Sequence, residues 1–248
     1  MKILALLFLV CGGLMVFVLN HYSRTVKRTW KRKPITDIYQ SAQKSTNYCP
    51  LNKISYALPV VIVALEDEHF WKHKGMDWKK LFCSLWINLW SGKRKMGGST
   101  ITQQLAKNVY FTDSHSIGRK IAEIFMVREI EKALTKEQIL ELYFHVIYYG
   151  HGLYGIQKAC DYYFHESVEN LSFNQAITIG TILPSPENYS PLREGGLFAK
   201  AKENAVKRLC ESGILDLNDA EYFLQLNYDA VEEEKIRLRY NTRHRKES

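Results

Sequence analysis

Glu66-Asp-Glu-His-Phe-Trp-Lys-His-Lys-Gly75 follows without a break on the apolar run Pro59-Val-Val-Ile-Val-Ala-Leu65. Such a run is built to be buried, and a polar cluster at the end of a buried segment is held rigidly, as an acid-base group requires. Three adjacent carboxylates cannot all face one site, because helical neighbours point roughly 100° apart. At most one of Glu66, Asp67 and Glu68 is therefore the working group. The competing reading is a solvated helix end that happens to carry charge.

Two further blocks lie downstream. Gly97-Gly-Ser-Thr-Ile-Thr-Gln-Gln-Leu-Ala-Lys-Asn108 combines glycines that let backbone approach a ligand, hydroxyls and amides that suit sugar hydroxyls, and Lys107, which can meet a phosphate. A flexible loop with Ser99 or Thr100 capping a helix explains the glycines but not the paired Gln103 and Gln104. Arg119-Lys120-x-x-Glu123 sits in a helical pattern with Ile117, Ile121, Ile124, Val127 and Ile130 near one side. Arg119 and Glu123 are spaced as a surface ion pair, although arginine before glutamate is the weaker order.

Between these blocks, Asp77 is placed to cap a helix whose apolar positions Trp78, Leu81, Phe82, Leu85, Trp86 and Leu89 follow three-four spacing. Trp90 and the cations Lys93, Arg94 and Lys95 follow. Core packing explains that stripe, and so does a helix lying in a membrane surface. Thr135-x-x-Gln138 and Ser172-x-x-Gln175 are capping-box patterns, and Asn218-x-x-Glu221 is a candidate cap near the end.

With Glu66-Asp67-x-x-Phe70-x-x-His73-x-Gly75 followed by the Gly97–Asn108 block, the sequence resembles the peptidoglycan glycosyltransferases, the module also found at the front of class A penicillin-binding proteins. Arg119-Lys120-x-x-Glu123, Lys136-x-x-Ile139-Leu140-Glu141-x-Tyr143, Gly150-His-Gly-x-x-Gly155-Ile156, Tyr162-Tyr-Phe164 and Ser190-Pro-Leu-Arg193 extend the likeness over residues 57–210. Three departures stand out: His145 where the family has asparagine, His115 in place of an arginine, and a half-echoed arginine pair near Ala201 and Lys202.

The resemblance implies a mainly α, lysozyme-like glycosyltransferase domain. It implies polymerisation of lipid II onto a nascent glycan strand, with inversion and loss of a polyprenyl diphosphate. Glu66 and Glu123 are the implied catalytic carboxylates, Glu66 as general base. Asp67, Phe70, His73, Ser99, Thr100, Gln103, Gln104, Lys107, Asn108, Arg119 and Lys120 are the implied substrate-binding residues. Diphosphate is already a good leaving group, so cations serve that side better than a strong acid. A divalent cation, magnesium or manganese, is an option at the diphosphate; no resident protein metal site is expected. Implied partners are membrane lipid and other cell-wall synthases.

The rival readings are a lysozyme-like wall hydrolase and a non-catalytic wall-binding scaffold. His69 and His73, with Glu66 three residues before the first, have helical ligand spacing for zinc, but the glutamate is on the wrong side for H-E-x-x-H and a third ligand is not identifiable.

The chain of 248 residues, 46% hydrophobic, has room for one large domain and an anchor. A net charge of +8 suggests anionic partners, and no nucleic-acid-reading motif accompanies it. Residues 3–19 are free of charge and reach about 25 Å as a helix, the short limit for a bilayer. We expect a single-pass anchor at residues 1–22, a basic stalk with little structure at 23–56, the catalytic domain at 57–210, and a peripheral helical and charged extension at 211–248. Arg24, Lys27, Arg28, Lys31, Arg32 and Lys33 follow the span, and that bias favours a cytoplasmic domain. The resemblance implies the opposite, a catalytic domain outside the cytoplasmic membrane. Five scattered cysteines, with no C-x-x-C pair, suggest neither metal knuckle nor redox pair.

Overall fold

In the computed structural model the apolar run is helix α3 (Ala57–Glu66), with Leu58, Val61 and Ile62 fully buried. The structure describes residues 2–92, 97–111, 117–193, 195 and 197–230, without the side chains of 2–11, 85 and 117. The remaining helices are α1 (Lys2–Arg32), α2 (Ile35–Gln43), α4 (Trp78–Ser91), α5 (Ile101–Tyr110), α6 (Ile117–Ala133), α7 (Lys136–Val146), α8 (Ile156–Phe164), α9 (Phe173–Ile182), α10 (Leu197–Glu211) and α11 (Leu217–Gln225). Among the described residues the β-structure is a single antiparallel bridge between Tyr148 and Tyr154. The mainly helical expectation holds.

α3 lies along α9, and α5 is flanked by α6 and α7. Every residue of α9 is buried, its polar side chains Asn174, Gln175 and Thr178 with hydrogen-bond partners, and this helix forms the centre of the packing. Local sequence sets several helix starts. Asp77, Thr100, Thr135 and Ser172 each accept the backbone N–H three residues on, and the last three form complete capping boxes. The last described helix is capped by Asp216, not by the expected Asn218.

Three expectations need correction. Residues 24–56 are not a loose stalk. α1 packs on α6 with Val26 buried, and Ile35 of α2 is fully buried. Glu141 of α7 then accepts hydrogen bonds from the hydroxyls of Tyr39 and Tyr48 and from the Leu51 amide, at 2.6 Å for the first and last. The lost signal is physical: a helix's basic face says nothing about what its other face covers.

The stripe on α4 is not core. Trp86 is 65% exposed, Leu89 and Trp90 are each 76% exposed, and only Ser84 on this helix is buried among the described side chains. Leu85, and Lys93, Arg94 and Lys95 beyond the helix, lie outside the described side chains.

The C-terminal extension is not wholly peripheral. Asn174, Gln175 and Thr178 of α9 donate to the carbonyls of Asn227, Asp229 and Tyr228, and the Lys202 ammonium donates to Leu226 O at 2.8 Å. The charged tail at 231–248 lies outside the described residues.

Among the described residues no helix is long and apolar enough to cross a membrane. The span expected at residues 3–19 falls partly outside them, since α1 is described there by its backbone alone as far as residue 11. Cys49, Cys83, Cys160 and Cys210 are free thiols; the side chain of Cys11 lies outside the described ones.

Candidate active site

Glu66 is the last residue of α3, half-buried where the helix ends. Its Oε2 accepts a 2.6 Å hydrogen bond from Gln104 Nε2 of α5, and Gln104 Oε1 accepts from the Tyr143 hydroxyl of α7 at 3.0 Å. This pair of bonds fixes the amide's orientation. Turned over, the amide oxygen would face the carboxylate. Burial, and after it the charge of Glu66, push the Tyr143 hydroxyl well above its ordinary pKa, so it stays a donor. Among the described residues Oε1 of Glu66 accepts no hydrogen bond, which leaves it as the oxygen available for a proton.

The backbone of Glu66 is fixed as well. Lys80 Nζ donates to Glu66 O at 2.8 Å, and the Arg208 guanidinium donates to Leu65 O. Two cations thus meet the negative end of α3, satisfying its last carbonyls.

Behind Glu66 lies a largely buried brace. Asp67, with no exposed surface, accepts from the Ile101 amide at 3.0 Å and pairs with His73 Nε2 at 2.9 Å. Thr100 Oγ1 donates to Gly75 O at 2.7 Å, and Thr100 N donates to Gln103 Oε1 at 3.0 Å. Gly75 has φ +81°, and a Cβ there would lie 2.4 Å from Val127 Cγ1. That position admits only glycine. Phe70 is fully buried under the Lys136 ammonium, 4.5 Å from its ring centre.

These contacts correct five of the expected substrate-binding assignments. Asp67, Phe70, Thr100 and Gln103 are buried, and the His73 side chain is 10% exposed, so they hold the site together without reaching its surface. Gln104 faces the candidate base. Asn108 donates to Gln104 O at 2.8 Å, and Lys107 is exposed one residue before it.

The start of α6 supplies a second charged group. Glu123, 1% exposed, is paired with Arg119 and, at 3.0 Å, with Lys120. Lys120 Nζ also lies 3.2 Å from Ser99 Oγ. With cations on both of its oxygens, Glu123 suits the positioning of Arg119 and Lys120. Likewise His69 pairs with Asp77 at 2.9 Å and His73 with Asp67, so the two imidazoles are led to separate carboxylates and share no metal position.

Of the departures noted in the sequence, Lys202 is buried and donates to Asn174 Oδ1 at 3.0 Å, with desolvation lowering its pKa to about 8. It belongs to the α9 anchor and does not reach the site. His115 lies outside the described residues. His145 bonds Cys49 O through Nε2 at 2.9 Å, and burial, outweighing that bond, lowers its pKa below 6.5. The unfolded chain therefore binds the proton first as pH falls through 6.5, and stability drops over that window. His145→Asn should remove that part of the acid sensitivity, read as a smaller shift in urea midpoint between pH 7.5 and pH 5.

The motif contains Tyr143 but not its bond to Gln104, and nothing in the sequence points to Lys80 or Arg208. The three side chains approach the end of α3 from three other helices, and no local spacing announces that convergence.

With this geometry in place, the comparisons agree on the class of protein. The chain belongs to the transglycosylase family, the family its motifs resemble: the family model described as Transglycosylase matches residues 31–211. The match begins well before residue 57, in keeping with the packed α2. Penicillin-binding protein 2a of Streptococcus pneumoniae serotype 2 (strain D39 / NCTC 7466) is 35% identical over 178 residues, 72% of this chain and 24% of that protein. Penicillin-binding protein 1A of Escherichia coli (strain K12) is 31% identical over 204 residues, 82% of this chain and 23% of that protein. The chain thus spans about a quarter of the length of these relatives.

Proposed function

We propose that the chain is a peptidoglycan glycosyltransferase that polymerises lipid II into glycan strands. The observation that carries this reading is Glu66, oriented by Gln104 and Tyr143 with one carboxylate oxygen left over, in a member of the transglycosylase family. A sugar hydroxyl is a poor nucleophile near neutrality, so a placed carboxylate must take its proton as the bond forms. In the proposed step the acceptor hydroxyl oxygen attacks the anomeric carbon from the face opposite the diphosphate. The proton passes to Glu66, and the carbon–oxygen bond to phosphate breaks with its electron pair on the polyprenyl diphosphate. The anomeric centre is inverted. Lys107, Arg119 and Lys120 supply the positive charge for the departing group, the last two held by Glu123.

The proposed arrangement in the cell is an anchor at 1–22, continuous with the packed segment that follows, and a catalytic domain outside the cytoplasmic membrane. Large domains are exported despite an opposing charge bias. Other cell-wall synthases are proposed partners. The exposed aromatic face of α4 suits a membrane surface, where indole rings settle at the level of the headgroups. Replacing Trp86 and Trp90 together by Phe should lower the fraction of tryptophan fluorescence quenched by lipids brominated on their acyl chains. An unchanged fraction would place α4 away from the bilayer.

The deciding experiment supplies labelled lipid-linked disaccharide to the wild-type chain and looks for polymer. Clearing of a cell-wall suspension without polymer synthesis would favour a wall hydrolase. Neither activity, under a range of detergents and divalent cations, would favour a scaffold.

A further inference from the structure

We propose that Arg24, Lys27, Arg28 and Lys31 form a binding surface for the phosphates of anionic phospholipids. At about 100° and 1.5 Å per residue, the four fall within an arc of roughly 100° on one side of α1, along about 10 Å of its axis. The opposite side carries Tyr22, Val26 and Trp30, all packed against the core. That side meets α6, where Gly118 leaves space for the Tyr22 ring; a Cβ at Gly118 would lie 1.9 Å from the Tyr22 hydroxyl.

The ridge is therefore displayed on a backbone that the domain holds in place. All four side chains are exposed. α1 contains no acidic residue, and among the described residues none of the four forms an ion pair. Lys33 is not part of the ridge, since its ammonium donates to Val109 O at 3.3 Å.

Four cations of one sign on a rigid face repel one another until an anionic partner neutralises them. Position selects the partner. The ridge begins five residues past the apolar stretch 3–19, within two helical turns of it, which is the height of lipid phosphates. This inference rests on the proposed membrane span. It gives the charge that opposes export a use on the far side of the bilayer. It also bears on the site: α6 carries Arg119, Lys120 and Glu123 in its first turns, so lipid held by α1 sets the height of those cations above the membrane.

The test uses the full chain in dodecyl maltoside with phosphatidylglycerol and phosphatidylcholine at equal mole fraction, and native mass spectrometry to count retained lipid. Each cation near the surface contributes roughly fivefold, so wild type should retain phosphatidylglycerol at least about tenfold over phosphatidylcholine. The preference should fade as salt rises. The combined R24Q, K27Q, R28Q and K31Q variant, checked for an unchanged melting temperature, should lose it. Equal retention by wild type, a preference that survives in the variant, or displacement of phosphatidylglycerol by lipid-linked diphosphate sugar at equal concentration would each overturn the proposal. Carbonate extraction of membranes reads the span separately, and polymer synthesis by the same preparations reads the enzymatic proposal separately. A polymerising protein without lipid preference removes the ridge alone.

Discussion

Glu66→Gln should lower glycan polymerisation roughly 10²–10⁴-fold, the range by which a placed general base accelerates proton transfer. The substitution keeps the size and planarity of the side chain, so the fold should persist and binding of the lipid-linked donor should change little. What is lost is the oxygen that takes the proton, and the amide of Gln104 then faces another amide where it had a carboxylate. Gln104→Leu should give a smaller fall in kcat with KM nearly unchanged, because the base remains but is no longer aimed. The measurement is the initial rate of labelled polymer formation in detergent, with folding followed by circular dichroism. Wild-type rates in the Glu66 variant would move the base elsewhere.

Asp67→Ala should cost roughly 3–5 kcal/mol of stability, the range for removing one partner of a buried pair. Its carboxylate has no exposed surface and serves both His73 Nε2 and the Ile101 amide. Without it, the His73 ring nitrogen and the Ile101 amide lose their partner at once. A loss of that size is a large share of the stability of an ordinary domain. Asp67→Asn keeps an oxygen for the Ile101 amide and should cost markedly less. Urea unfolding midpoints compare the three proteins, and a loss below about 1 kcal/mol for the alanine variant would contradict the role described for the brace. Because Ile101 opens α5, and α5 carries Gln104, activity should fall with stability.

The parts of this fold that follow from short-range rules were legible in the sequence. Asp77, Thr100, Thr135 and Ser172 cap helices because a cap needs only an acceptor and a backbone N–H three residues on. The same rule fits Asp216 and Asn218 equally well, and only packing chooses between them. Periodicity revealed the apolar face of α4 but not what that face meets. Gln103 and Gln104 look alike in sequence, yet one closes a capping box and the other aims Glu66, because neighbouring helical residues point in different directions. The resemblance implied Phe70 as a substrate-binding residue because it belongs to the Glu66–Gly75 motif; three-dimensional packing places it in the core.

The way α9 and Lys202 hold the segment after α11 has an evolutionary consequence. Asn174, Gln175, Thr178 and Lys202 grip carbonyl oxygens, which every amino acid possesses. The gripped segment is therefore free to drift in composition while its path stays put. Mutational constraint falls on the four gripping side chains, and homologues can rewrite residues 226–230 without rerouting the polypeptide.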